Sequence, residues 1–174
     1  TPRGLIPPRS APGHFSVLCR ALDETTPGGD VPLSGVLHAL AGRARRRGLV
    51  VVLSDGFEGL ETLGPALRHV RHRRHELLFL HTLAPEEEEF TFRRPARFRD
   101  LEGPGRVMRV DPASLRAAYL GRFRAFCRDL AEAVRAAGAD YRRASTAVPA
   151  GPTLLDYLAV RSRSRSRSRA RRGG

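Results

Sequence analysis

Lysine, asparagine, glutamine and tryptophan are all absent from the 174 residues, and isoleucine and methionine occur once each, as Ile6 and Met108. Every one of the 31 basic residues is therefore an arginine. Translation from very GC-rich DNA produces this bias, so the basic character reflects codon composition as much as function. Long apolar runs are missing too. No stretch approaches the roughly 20 residues that a membrane-crossing helix needs, which gives the expectation of a soluble, cytoplasmic chain. There are two cysteines, Cys19 and Cys127, far apart and each among apolar positions at helical spacing. They read as small core thiols of a reducing compartment, not as a disulfide or a metal knuckle. The opening at Thr1 has no methionine and no basic region ahead of an apolar run. No secretory signal is visible, and the segment reads as the later part of a larger domain.

The formal charge is +13 with an isoelectric point near 11.5, a balance that by itself points to nucleic acid or an anionic surface. Seven of the arginines lie in Arg161 to Gly174, however, which leaves +6 for the remainder. The remainder has an ordinary composition for one globular domain, 41% hydrophobic and 28% charged over the whole chain. The expected organisation has three parts. Residues 1–13, with four prolines and two glycines, form a loop lead-in. Residues 14–160 form an α/β domain. Residues 161–174, arginine and serine dipeptides that cannot bury apolar surface, are expected to be disordered.

Within the domain, Phe15, Leu18 and Leu22 share one face of a short helix, and a break at Pro27, Gly28 and Gly29 follows. Leu33, Val36, Leu37, Leu40 and Ala44 mark a second helix from Pro32 to Arg46. Leu49 to Leu53 is a continuous β-branched run, the pattern of a central parallel strand. Leu60, Leu63, Leu67 and Val70 restore the helical period, and Leu77 to Leu83 is a second apolar run. Strand, helix and strand in this order make a βαβ unit with parallel strands. After the acidic run Glu86 to Glu89, the short alternating pieces around Phe90, Phe92 and Phe98, then Arg106 to Val110, read as an antiparallel hairpin or meander. Asp111 and Pro112 start a long helix of about 26 residues, about 39 Å, ending at Gly138. Tyr141 to Thr146 reads as a polar edge strand and Thr153 to Val160 as a closing helix.

The segments "GLVVVLSDGFEG", "LRHVRHRRHELLFLHTLAPEEEEFTF", "ARFRDLEGPGRVMRVDPASLRAAYL" and "AGADY", in this order and spacing, resemble the second half of the bacterial von Willebrand factor A-like "domain of unknown function 58" family. The resemblance covers roughly His14 to Ser162. It implies a partial von Willebrand A-like, Rossmann-like fold, a mostly parallel sheet flanked by helices, with a small hairpin insertion and a long helix. It also implies a metal-ion-dependent adhesion site at the carboxyl ends of the strands, holding Mg2+. Family genes commonly neighbour those of MoxR-type AAA+ ATPases, which implies a non-catalytic protein-interaction or scaffold role in assembly or maturation of other proteins.

Asp55 follows the first strand, where ligands of open α/β sheets gather. It is the candidate metal ligand, set against the plainer reading of a Ser-Asp pair capping a turn. In the family the first ligand cluster, an Asp with two serines, would precede Thr1, and an expected threonine corresponds to Val31, which has no side-chain oxygen. Asp30, beside it, is the second candidate. His69, His72 and His75 recur at intervals of three, but they alternate with Arg68, Arg71, Arg73 and Arg74, whose charge repels a cation, so they read as structural. Ser54, His81 and Asp111 can be assembled into a triad on paper only. No Gly-x-Ser-x-Gly elbow or phosphate-binding glycine loop accompanies them, so no enzyme activity and no small-molecule substrate are expected. The alternative to a scaffold is a nucleic-acid binder using Arg161, Arg163, Arg165, Arg167 and Arg169.

Overall fold

The computed structural model describes residues 6–7, 9–26, 31–44, 46–92, 94, 96–99 and 107–170. Three strands, β1 (Leu49–Ser54), β2 (Glu76–Leu83) and β5 (Asp140–Ser145), form a parallel sheet in the order β1-β2-β5. Two more, β3 (Ala96–Arg99) and β4 (Val107–Val110), pair antiparallel as the expected hairpin. The helices are α1 (His14–Asp23), α2 (Leu33–Arg43), α3 (Leu60–His72), α4 (Pro85–Glu89), α5 (Pro112–Ala136) and α6 (Ala150–Ala170). The arrangement is a three-stranded open parallel sheet flanked by helices, as a partial Rossmann-like fold requires.

Strand alternation divides the core. Val52, Leu77 and Phe79 face Leu37 and Ala41 of α2, Leu63, Leu67 and Val70 of α3, and Leu130 and Val134 of α5. Leu78 and Leu80 face the other way and meet Tyr157 of α6. β2 is hydrogen-bonded on both edges and almost wholly buried, so it is the central strand. The expectation that the run from Leu49 to Leu53 would be central is corrected: β1 lies at an edge of the described sheet. Its second face is covered only at its start, where Leu49 packs against the Tyr157 cluster, while Val51 is 43% and Leu53 69% exposed.

Four local differences from the sequence reading have clear causes. The acidic run, to which the sequence assigns no element of its own, forms α4. Pro85 presets its first turn, the Glu87 carboxylate accepts from the Ala84 N–H at 2.8 Å, and Phe90 closes it in the left-handed region. Phe90 and Phe92 therefore stand outside the hairpin. Second, α1 buries no residue, and Phe15 and Leu22 are 77% and 76% exposed. Cys19 on α1 is thus half-buried and not a core thiol, whereas Cys127 is buried; both are free. Third, β5 is the expected edge strand but runs one residue earlier, from Asp140 to Ser145, parallel to β2. Fourth, α6 runs as helix through Ala170, where disorder was expected; arginine is a strong helix former and serine a tolerable one.

The long helix matches its expected limits closely. Asp111 Oδ1 accepts from the Ala113 N–H at 3.2 Å with Pro112 next to it. Gly138, at φ +75°, ends it, and the Ala139 N–H returns to the Val134 carbonyl at 3.2 Å. Among the described residues no helix is long and apolar enough to cross a membrane.

Phe79 is fully buried between α3 and α5 while Leu53 is exposed, so the two separate cleanly in their cost. Phe79→Ala is expected to lower unfolding stability by about 3–5 kcal/mol, and Leu53→Ser to change it by no more than about 0.5 kcal/mol, both read from urea titration.

Candidate functional site

The carboxyl ends of the parallel strands meet at one rim, and the turn after β1 is its sharpest feature. Ser54 Oγ accepts from the Gly56 N–H at 3.0 Å, and Asp55 Oδ1 accepts from the Phe57 N–H at 3.2 Å. These bonds fold the chain back on itself, as Ser and Asp side chains do when they cap a turn. Gly56 is buried at φ +72°, and a Cβ there would run into Leu130 Cδ2 of α5. Only glycine satisfies both the backbone and the helix packing. The result is an exposed Asp55 carboxylate fixed at the sheet rim.

Glu58 then ties this turn to α2. Its carboxylate accepts from the Ser34 N–H at 3.0 Å and from Thr62 Oγ1 at 3.2 Å, and it also takes the Ser34 hydroxyl. Ser34 lies in the first turn of α2, whose amides lack helical partners, so the acid caps that helix from a distance and complements its dipole. Burial pushes the carboxyl up, but the hydrogen bonds from Ser34 and Thr62 together outweigh burial and hold it below its ordinary value. Sequence reasoning assigned Glu58 no role, because its partner lies 24 positions away.

His81 sits beside Ser54 in the β1–β2 register. It is fully buried, its Nδ1 lies 2.6 Å from the Tyr141 hydroxyl, and Nε2 has no hydrogen-bond partner among the described residues. Burial is the chief cause of its lowered pKa; Arg143 adds to it, and the Asp55 main chain with the Asp55 and Glu87 carboxylates opposes it. Burial likewise raises the Tyr141 phenol, followed by Cys127. A neutral imidazole and a neutral phenol therefore share this bond. The paper triad is not assembled: Ser54 serves the turn, His81 serves Tyr141, and Asp111 caps α5.

An apolar groove of about 410 Å³ opens beside the turn, lined by Phe57, Leu115, Ala118, Tyr119, Arg122, Phe123 and Phe126. Phe57 is 69% exposed and stacks on Phe126 at 5.1 Å. The aromatic band continues along α5, with Tyr119 on Phe123 at 5.8 Å and Phe90 on Tyr119 at 4.7 Å. A carboxylate and an apolar slot thus stand two residues apart.

As a cation site the described residues fall short. Asp55 and Ser54 offer one carboxylate and one hydroxyl, both already engaged in the turn, whereas a hard divalent ion takes about six oxygens. Among the described residues no group of three or more His, Cys, Asp or Glu can hold a metal. Asp30 lies outside the described residues; Val31 is exposed. Of the tail arginines, Arg161 is bound to Glu76 at 2.6 Å, which pins α6 to the sheet, and the side chains of Arg163, Arg165, Arg167 and Arg169 lie outside the described residues.

An open parallel sheet with its connecting turns collected at one rim defines the class: an α/β protein of Rossmann-like type, whose ligands approach the carboxyl ends of the strands. Comparison of sequences takes this one step further. The chain belongs to the family described as "Protein of unknown function DUF58", whose profile matches residues 2–126. No curated protein and no solved structure matches the chain.

Glu58→Gln is expected to lower stability at neutral pH by about 0.5–2 kcal/mol. Because the folded pKa is depressed, the wild-type advantage is present above the ordinary glutamate value, about 4.3, and is lost as pH falls through the folded value. Denaturant unfolding of both proteins between neutral and acidic pH checks this. His81 works over a higher window. Its folded pKa is also lowered, so stability is complete above the unfolded histidine value, about 6.5, and falls by up to about 1.4 kcal/mol per pH unit below it until the folded value is passed. His81→Gln should flatten that part of the stability profile.

Proposed function

We propose that this chain is a non-catalytic protein-interaction module of the von Willebrand A type, serving as a scaffold with a MoxR-type AAA+ ATPase in the assembly or maturation of other proteins. The observation that carries this reading is the exposed Asp55 carboxylate held beside the apolar groove of Phe57, Tyr119, Phe123 and Phe126. Interfaces concentrate their energy in aromatic anchors seated in pockets, with charged groups fixing orientation. The Gly56 turn and the capped α2 hold both features in place before binding, which reduces the ordering cost of association. The choice of a MoxR-type ATPase as partner rests on what the von Willebrand A-like resemblance implies. The contribution of Mg2+ is left out of this reading, since Ser54 and Asp55 alone do not satisfy such an ion.

Phe57 and Asp55 are exposed, so their removal tests binding without disturbing the core. Co-purification of the chain with a MoxR-type ATPase is expected to succeed, and Phe57→Ser to weaken it by about thirtyfold, the scale of an interface hot spot. Asp55→Ala should weaken it too; since the first variant loses the Phe57 stack on Phe126 and the second the turn bond, thermal unfolding of both is followed alongside, and each is expected to remain folded at the assay temperature. Failure to associate, with or without nucleotide, overturns the proposal.

A further inference from the structure

The end of the sheet opposite the rim gathers positive charge from three separate segments. The Gly48 N–H donates to His75 Nδ1 at 3.3 Å and the Glu76 N–H to the Gly48 carbonyl at 2.9 Å. The connection from α2 to β1 therefore lies against the turn that follows α3, and Arg73 Nε closes the same corner on the Ala41 carbonyl at 3.2 Å. α6 arrives from the other face of the sheet, where Arg161 pairs with Glu76 at 2.6 Å. The first two segments carry Arg46, Arg47 and Arg74, all exposed. The ion pairs among the described residues, Arg128–Asp129, Arg143–Glu88 and Arg161–Glu76, use none of these three. Of the acids that begin β2 and β5, Glu76 is taken by Arg161, and Asp140 accepts the Tyr157 hydroxyl at 3.4 Å. On the adjoining border of α2 and α3, His38 Nδ1 and His69 Nδ1 bond each other at 2.8 Å and stand outside this pole.

Arg74 separates placed charge from a by-product of composition. The turn that ends α3 bonds the Arg74 N–H to the Arg71 carbonyl at 2.9 Å and the His75 N–H to the Val70 carbonyl at 3.4 Å, with Arg74 at φ +63°. α5 ends in the same way, with the Gly138 N–H on the Arg135 carbonyl at 2.8 Å and the Ala139 N–H on the Val134 carbonyl at 3.2 Å. There the left-handed position holds Gly138 at φ +75°. Glycine adopts that conformation without strain, and a long side chain does not. Glycine codons are as GC-rich as those of arginine, so base composition gives no reason for the choice at position 74. What the position gains over glycine is a guanidinium.

We propose that this basic pole binds the phosphate backbone of double-stranded nucleic acid, independently of base sequence. The function is separate from that of the rim, which lies at the other end of the strands. Guanidinium groups match phosphate oxygens bidentately and hold their charge at every physiological pH. Protein interfaces are anchored by aromatic residues, and the exposed Phe15, Phe57 and Phe92 belong to other segments, so an acidic protein fits this pole less well. α6 distinguishes a duplex from a lipid surface. From Ser162 to Ala170 it continues as helix, a rod of about 13 Å. Arginine positions 163, 165, 167 and 169 step by about 200° around its axis and so occupy both sides of it. A major groove about 12 Å wide admits a helix and offers phosphates on both sides, whereas a membrane meets only one.

The test uses the full chain and a labelled duplex of arbitrary sequence, about 20 base pairs long, followed by fluorescence anisotropy over a salt series. A dissociation constant of about 10−6 to 10−4 M is expected near physiological salt, with log affinity falling linearly against log salt. Arg74→Gly removes one phosphate contact in a conformation that suits glycine. It should reduce the salt slope by about 1, while the thermal midpoint holds or rises. Adding Arg46→Ser and Arg47→Ser should bring the reduction to about 3, and removal of residues 163–174 should weaken binding further. Vesicles of anionic phospholipid and polyglutamate form the membrane and acidic-protein arms, each expected to bind more weakly than the duplex. Absence of duplex binding at low salt, a slope that the substitutions leave unchanged, or tighter binding to vesicles or polyglutamate overturns the proposal. If the triple variant fails to fold, Arg74→Gly decides alone.

Discussion

Parallel strands cannot be joined by a tight turn, and that constraint shapes everything built around β2. With β1 on one edge and β5 on the other, each neighbour must be reached by a crossover long enough to return the chain to the same end. α3 makes the first, and α4, the hairpin and α5 make the second. Crossover helices must bury an apolar stripe, and the face of β2 carrying Leu77 and Phe79 supplies the matching surface. The same geometry delivers the start of every crossover to one rim. The Ser54 to Glu58 turn, His81 and the first half of α5 are neighbours because the sheet is parallel.

Features that depend on short stretches of chain were legible in the sequence. The β-branched run at Leu49 to Leu53, the helical period through Val70, the Asp-Pro start at Asp111 and the glycine stop at Gly138 each carry their own local cause. The acidic run was given no element because four like charges carry no apolar period, while Pro85 and Glu87 supply a helix start of their own. The edge position of β1 was illegible for a different reason. An apolar strand looks the same whether or not a helix covers it, and the limited reach of α6 is a property of packing.

The candidate site divides the same way. Asp55 was found because it follows a strand directly; of the two readings weighed for it, metal ligand and turn cap, its bond from the Phe57 N–H is that of the turn cap. Glu58, the His81 to Tyr141 bond and the His38 to His69 pair join residues 24, 60 and 31 positions apart. No spacing rule reaches that far. Each requires α2 to lie against α3, or β5 against β2, before the partners can be known. The groove beside Asp55 likewise exists because Phe57 reaches across to α5.

Along the outer side of β1 no strand pairs among the described residues, and Leu53 and Val51 stand bare on one face. Peptide groups in such a row remain available as a template for whatever extended chain comes near. The two flanks thus differ in kind: the β1 side exposes backbone and two aliphatic side chains, while the α5 side exposes aromatic ones. Crowding this body with copies of itself would favour growth from that flank first, and the arginine-rich charge works against the encounter only while salt is low.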